Sequence, residues 1–267
     1  MNNALSQWLR RPVAFTLLSF CFSSITFASE SIVEVTLTDR DAITLSSEQA
    51  PRLDATVMTA VDYYQTSSMD IDWLQSKLFD LDKPLYLKNV AVRSINRQKS
   101  VAKHQDIERW KTLRRQIEEW QFSKRVLTPL DPDVTRVNAS QNPRLRGQYQ
   151  LFLKPISKDL TVTVLGNVKQ PRELAWYPRR SANQYLNKTQ VENQSLSYVW
   201  VIQPDGAAFQ YPVAYWNYQF HNIAPGAFIY VPMPLSRNLD DELTRYKFTN
   251  KDTNQLIIEL LTHKLPL

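Results

Sequence analysis

Runs in which apolar and polar residues alternate predict β-strands near the start of the chain. Two such runs, 32–38 and 42–45, are joined at Asp39-Arg40-Asp41. Alternation with a period of two places one set of side chains on each face of a strand. We therefore predict that the two runs form a β-hairpin. The segment 56–64 fits a helix or a buried strand equally well.

A second group of strands is predicted from residue 147 onward. Gly147–Leu153 reads as one strand, and the stretch 161–234 contains three more apolar runs bounded by Gly and Pro. Three of the four glycines of the chain lie at the turns of that stretch, where the backbone favours a residue free to adopt positive φ. The stretch is therefore predicted to fold as a small mixed domain, with a short helix starting near Ser181.

The middle of the chain has a helical period instead. Apolar residues recur at steps of three and four within 96–126, at Ile107, Trp110, Leu113, Ile117 and Trp120. Charged residues fill the other faces, as is typical of an amphipathic helix. The shorter pattern of 70–79 also suggests a helix, with Asp70 in its first turn. Together they predict two helices, in which Trp110 and Trp120 pack against the domain or the preceding helix, or bind a partner.

The C-terminal segment predicts another amphipathic helix. Asp252 and Gln255 have the spacing of an N-terminal capping box. One apolar face follows, formed by Leu256, Ile257, Leu260, Leu261 and Leu265. This face packs against the body of its own protein, or it docks on a partner or a membrane surface. A dozen residues are too few to span a bilayer as a helix.

The N-terminus has the pattern of a secretory signal peptide. Arg10 and Arg11 precede an apolar run, and the small residue Ala28 marks the predicted cleavage site. Export places the mature protein outside the cytoplasm. The only cysteine, Cys21, leaves with the signal, so the mature chain has no disulfide and no thiolate ligand.

Charge and composition exclude few partners. The 267-residue chain carries 32 Lys and Arg against 26 Asp and Glu, and removal of residues 1–28 takes away two arginines and leaves 30 − 26 = +4. No long basic run of the kind that binds nucleic acid is present. The mild positive charge permits weak attraction to acidic polysaccharide or anionic lipid.

Several motifs of the second half resemble a known family. The strand and turn 162–171 is similar to the start of the soluble-ligand-binding β-grasp domains of polysaccharide-export outer-membrane proteins. The segments 199–206 and 224–232, the pair Trp216-Asn217 and the ending 260–266 more specifically resemble the capsule-biosynthesis GfcC family. The chain lacks the lipidated cysteine of the export proteins, which favours an accessory role over pore formation.

The resemblance implies an α+β fold of two β-grasp domains with an inserted helical hairpin and a C-terminal amphipathic helix. The expected bounds are 1–28 for the signal peptide, 29–159 for the first domain with its helical hairpin at about 68–126, 160–236 for the second domain, and 237–267 for a linker and the terminal helix. It further implies a periplasmic, non-enzymatic protein of capsule or exopolysaccharide assembly and export. Its expected partners are envelope proteins of polysaccharide export.

No residue pattern predicts catalysis, a metal or a cofactor. The three histidines are far apart in sequence, and no ligand-spaced cluster occurs. Paired carboxylates at 70/72, 131/133 and 240–242 are of the kind that glycoside-cleaving enzymes use. A polysaccharide-modifying enzyme is therefore the alternative, although each pair is better explained as a helix start, a proline turn or a solvated loop.

The remaining candidates are contact residues in the second domain. Basic and aromatic side chains can pair with sugar carboxylates and stack on sugar rings. This basic group consists of Lys169, Arg172, Trp176, Arg179 and Arg180, with Tyr177 beside them. Trp200 and Trp216 are predicted to lie in the core.

Overall fold

The computed structural model describes residues 31–187, 196–236 and 251–266. The predicted signal peptide and the acidic group 240–242 lie outside these ranges. The described chain folds into two five-stranded mixed sheets with helices packed on them. No helix within the described ranges is long and apolar enough to cross a membrane.

The first sheet has the strand order β2-β1-β5-β3-β4. Its strands are β1 (Ser31–Leu37), β2 (Ile43–Ser47), β3 (Lys77–Asp80), β4 (Lys124–Val126) and β5 (Gly147–Leu153). The predicted hairpin of β1 and β2 is confirmed, and β1 also pairs in parallel with β5 along its whole length. The other neighbouring strands are antiparallel.

A helix packs on one face of this sheet. This helix, α1 (Leu53–Tyr63), includes most of the segment 56–64, whose pattern fitted a helix or a strand equally well. Its buried residues Leu53 and Val57 pack with Val35 and Leu151 of the sheet in one apolar cluster. A short helix α4 (Pro132–Val137) adjoins α1 and is capped by Asp131, whose carboxylate accepts a bond from the Asp133 backbone N–H.

The predicted helix over 70–79 is wrong. A single 3₁₀ turn occupies Ser68–Asp70, and Lys77–Asp80 forms the strand β3. β3 lies between β5 and β4, and its adjacent residues Leu78 and Phe79, which face opposite sides of the sheet, are both fully buried, so both faces of the sheet are covered at this strand. Sheet pairing therefore overrides a local helical period of only two turns.

The helical hairpin is inserted between β3 and β4. Helix α2 (Leu87–Ser100) and helix α3 (His104–Glu119) form it, so it begins later than the predicted residue 68. Trp110 is completely buried and Trp120 is half-buried, as the periodicity predicts.

The second sheet repeats the topology of the first. Its order is β7-β6-β10-β8-β9, which is the same arrangement with each strand advanced by five. The strands are β6 (Thr161–Gly166), β7 (Arg172–Ala175), β8 (Tyr198–Ile202), β9 (Ala208–Pro212) and β10 (Phe228–Val231). The parallel pair is again formed by the first and last strands, β6 and β10. The chain thus contains two β-grasp domains.

Both faces of the second sheet are covered. Helix α5 (Ala182–Leu186), closed by a capping box at Ser181, buries Tyr185 against Val164 and Val201 on one face. On the opposite face, Leu165 and Tyr230 belong to a cluster formed with α2, α3 and the C-terminal helix α6 (Thr253–Thr262). The hairpin that leaves the first domain therefore completes the core of the second.

Helix α6 docks on its own protein. The predicted capping box is present, with the Asp252 carboxylate accepting a bond of 2.8 Å from the Gln255 backbone N–H. The apolar face lies on α2 and the second sheet; Leu256, Ile257, Leu260 and Leu261 are buried in this cluster, and Leu265 is half-buried. Of the two alternatives for this helix, the structure adopts the intramolecular one, and the predicted partner or membrane face is covered.

Polar contacts hold the two ends of α6. The Asn254 carboxamide accepts bonds from the Tyr230 hydroxyl and the Met233 backbone N–H, the latter at 3.0 Å. At the other end, the Leu265 N–H donates to the carbonyl of Gln121 at 3.0 Å, next to the start of β4. The terminal helix is thus bonded to both domains.

Candidate functional site

The two most exposed large aromatic side chains of the described chain lie in the loop between β9 and β10. We define this aromatic loop as residues 214–222. Tyr215 is fully exposed and Trp216 is 73% exposed, while Tyr218 and Phe220 are each about half exposed. Burying an aromatic side chain typically contributes about 2 kcal/mol or more. A loop that leaves four such rings in water is a candidate interaction surface.

The two outermost rings are held by a turn. Tyr215 and Trp216 occupy the central positions of a β-turn closed by the Asn217 N–H, which donates to the Ala214 carbonyl at 3.2 Å. The Asn217 side chain accepts from the Ala214 N–H at 3.0 Å and donates to the carbonyl of Ser197 at 3.0 Å. Because one amide ties the turn both to itself and to the chain before β8, the turn is organised in advance of any contact.

Both ends of the loop are anchored in the domain core. Val213 and Ile223, which flank the loop, are buried in the cluster beneath α5. The Ile223 carbonyl accepts a 2.7 Å bond from the Trp176 indole N–H, and the Gln203 side chain donates to the Asn222 carbonyl at 3.0 Å. The loop is therefore fixed at its ends and exposed in its middle.

A stack of rings continues from the loop onto β9. His221 lies 4.4 Å from Tyr211 with an angle of 19° between the ring planes, and Tyr211 lies 6.3 Å from Phe209 at 18°. Phe209 is about half exposed. Because Tyr211 is buried and His221 is half-buried, Phe209 is the ring of this row that faces water, at the edge strand β9.

The sequence around the loop carries no charged residue. From Gly206 to Ser236 the chain has no Asp, Glu, Lys or Arg in 31 positions, although such residues make up 22% of the whole sequence. The polar groups available there are amides, hydroxyls and one imidazole. This chemistry suits a neutral ligand with apolar faces and hydroxyl groups better than it suits a polyanion.

The prediction that Trp216 lies in the core is wrong. The run 211–216 has the apolar and aromatic composition of a strand, but β9 ends at Pro212 and Trp216 is in the turn that follows. The signal that marks this turn is the 31-residue run without charge, in which aromatic residues occur without strict alternation. Trp200, by contrast, is half-buried against the hairpin cluster, as predicted.

The predicted basic group is divided between the two ends of the edge strand β7. Lys169 lies before this strand and Arg172 at its start, and Arg179 and Arg180 lie beyond its end. Four strand residues span about 13 Å. The two pairs of cations are therefore attached to the backbone at opposite ends of β7.

Two members of this group pack within the domain. The Arg180 guanidinium lies 4.1 Å from the centre of the Tyr177 ring and 5.5 Å from that of Tyr185, both within the range of cation–π attraction. Trp176 is half-buried against the core and bonded through its indole nitrogen. Arg179, at φ 57°, forms the left-handed turn that positions its neighbour.

A second candidate region is the junction between the domains. A cavity of about 560 Å³ is lined by both domains, with Trp73 and Leu130 on one side and Asp205 and Gly206 on the other. Arg125 of β4 lies at this cavity and donates to the Pro204 carbonyl in the β8–β9 turn. Its Nε is buried without a hydrogen-bond partner.

Basic groups crowd this junction. Burial lowers the pKa of Arg125 to about 10, while Asp205 opposes the shift. Burial, reinforced by Arg125, lowers the pKa of Lys77 to about 7. The pKa of His263 is lowered to about 4, first by burial and then by Lys124, and its Nδ1 accepts a 3.1 Å bond from the Arg125 backbone N–H. A neutral His263 therefore joins the end of α6 to β4.

The predicted carboxylate pairs have local structural roles in the described chain. Asp72 accepts bonds from the Gln75 backbone and side-chain amides at 3.1 and 2.7 Å, and Asp131 caps α4. Asp70 and Asp133 are exposed. Within the described residues, no group of three His, Cys, Asp or Glu side chains has the geometry of a metal site.

These features define the class of protein. It has two β-grasp domains joined by a shared helical layer, and it presents an exposed aromatic surface at one edge of the second sheet. Two family models match the chain. The model "Capsule biosynthesis GfcC, N-terminal" matches residues 30–156, and the model "Capsule biosynthesis GfcC C-terminal" matches residues 170–266. The chain belongs to the capsule biosynthesis GfcC family, which confirms the resemblance drawn from its motifs.

One curated relative is the Escherichia coli (strain K12) protein described as "Uncharacterized protein YjbG". The two are 34% identical over 155 residues, a match that spans 58% of this chain and 59% of the relative.

Proposed function

We propose that the protein is a periplasmic, non-enzymatic accessory factor in the assembly or export of a capsule or exopolysaccharide, acting through contacts with envelope proteins or with glycan. The match of the two GfcC models to the two β-grasp domains carries this proposal. The predicted signal peptide supports export from the cytoplasm, and the expected partners are polysaccharide-export proteins of the envelope.

The hydrogen bonds that Asp72 and Asp131 accept within their own turns support an accessory role. Asp72 and Asp131 hold their own turns, so neither is positioned as a free acid or base. The exposed aromatic loop offers contact chemistry rather than a reacting group.

Deletion of the gene, followed by complementation, tests the proposal. We expect deletion to lower the amount of cell-bound or released polysaccharide, measured as total sugar, and the wild-type gene to restore it. The protein should appear in the osmotic-shock fraction with a processed N-terminus near residue 29. Unchanged polysaccharide in the deletion strain would refute the proposed function.

A carboxylate variant tests the non-enzymatic part. We expect the quadruple substitution Asp131→Asn, Asp133→Asn, Asp240→Asn and Asp241→Asn to complement the deletion, because these carboxylates take no part in chemistry. If this variant folds with an unchanged circular dichroism spectrum but leaves polysaccharide output at the deletion level, an enzymatic role would replace the accessory one.

A further inference from the structure

We infer that the aromatic loop 214–222 is a glycan-binding surface that stacks on the apolar faces of uncharged sugar units. This inference rests on the proposed function and names the part of the protein that contacts polysaccharide. It differs from the basic-group hypothesis in the residues that bind and in the chemistry of the ligand, although Trp176 of that group hydrogen-bonds to the Ile223 carbonyl at the end of the loop.

The first step of the argument is the way the rings are presented. Tyr215 and Trp216 project from a turn closed by the Ala214–Asn217 backbone bond and fixed by the Asn217 side chain. A turn whose backbone is already fixed loses little backbone freedom on binding. Residues 31–187, 196–236 and 251–266 leave them uncovered, since Tyr215 is fully exposed and Trp216 is 73% exposed.

The second step is the chemistry of the occupant. Sugar rings combine C–H faces, which pack on aromatic rings, with hydroxyl groups that hydrogen-bond to amides and phenols. Tyr215, Trp216, Tyr218 and Phe220 supply the rings, and Gln219 lies between the last two in sequence.

The third step is charge. Positions 206–236 contain no Lys or Arg and no Asp or Glu. Attachment to an anionic membrane surface or a polyanion uses clusters of basic residues. The loop lacks them, so the observations favour neutral sugar units over anionic lipid.

The experiment uses the exported, processed protein and the polysaccharide extracted from the producing cells. Binding is measured by retardation in native gels that contain the polysaccharide and by titration of tryptophan fluorescence. We expect saturable binding whose affinity changes less than twofold between 50 and 500 mM NaCl, because residues 214–222 include no charged side chain.

Variants locate the binding surface. The double substitution Tyr215→Ala and Trp216→Ala should weaken binding at least tenfold, and Trp216→Phe should keep most of it because a flat ring remains. Tyr86→Ala is the matched control, since Tyr86 is 70% exposed on the first domain. Its affinity should stay within twofold of wild type. The double variant and Trp216→Phe should each melt within about 2 °C of the wild-type protein, because exposed side chains contribute little to stability.

Several results would overturn the inference. One is wild-type affinity in the double variant, and another is the absence of polysaccharide binding by the wild-type protein. Salt-sensitive binding abolished by Arg179→Ala and Arg180→Ala would assign the contact to the basic group instead. Binding to phosphatidylethanolamine–phosphatidylglycerol vesicles without polysaccharide binding would make the loop a membrane contact. In all four cases the proposed function is still tested by the polysaccharide output of the deletion strain. The glycan-binding inference and the proposed function can therefore fail separately.

Discussion

Replacement of Leu260 by alanine tests whether α6 is part of the protein's own core. The Leu260 side chain is completely buried, in the cluster that joins α6 to the hairpin and the second sheet. Truncating a buried leucine removes apolar contacts and leaves a cavity, at a cost of about 2–5 kcal/mol. In a chain of this size, each kcal/mol lowers the melting temperature by about 2–4 °C. We therefore expect a decrease of about 6–12 °C for a mid-range loss of 3 kcal/mol.

Thermal unfolding followed by circular dichroism, with urea titration as a second measure, provides the assay. Val137→Ala serves as the control because Val137 is 84% exposed and its truncation should change the free energy of unfolding by less than about 0.5 kcal/mol. A helix that docks chiefly on a membrane or partner would contribute little to the isolated protein. If Leu260→Ala shifted the melting temperature by less than 2 °C, the intramolecular docking of α6 would be refuted.

Three further predictions concern the turn after β6, the junction and the basic group. In a urea titration, Gly166→Ala should lower the free energy of unfolding by at least about 2 kcal/mol, since Gly166 has φ +96° and an added Cβ would lie 2.1 Å from the Val231 carbonyl oxygen. Gly206→Ala is the control and should cost less, because its nearest contact is the movable Leu127 side chain at 2.6 Å. Because the pKa of His263 is lowered to about 4 in the folded state, the unfolded chain binds more protons between pH 6.5 and 4. Stability should therefore fall as the pH falls through that window, and His263→Asn should flatten the slope of unfolding free energy against pH; an unchanged slope would contradict a buried neutral imidazole. Arg180→Ala should cost about 1 kcal/mol through the lost stacking on Tyr177, and a double-mutant cycle with Tyr177→Ala should give a coupling energy that a solvated arginine would not.

Local sequence patterns determined many of the elements. Alternation located β1, β2, β5 and β6, because strand residues face opposite sides of a sheet whatever the partner. The spacing of Asp252 and Gln255 located the start of α6, since a capping box needs only backbone groups of the same turn. The motifs of the second half also identified the family, which the models over 30–156 and 170–266 confirm.

The tertiary structure decided where the apolar faces lie. A helical period shows that a face is buried but not what buries it, so nothing local indicated that a hairpin inserted in the first domain covers the second sheet. The same limit applied to β3, whose two neighbouring strands overrode a short helical pattern.

The candidate site depended on the fold for the same reason. Trp216 sits in a run that reads as a strand, and its exposure follows from a turn that Asn217 ties to Ser197, 20 residues earlier in the chain. The sequence by itself determined the periods, caps and turns, which depend on neighbouring residues alone. Only the packed structure decided which aromatic rings fill the core and which face water, because that depends on contacts between segments distant in the chain.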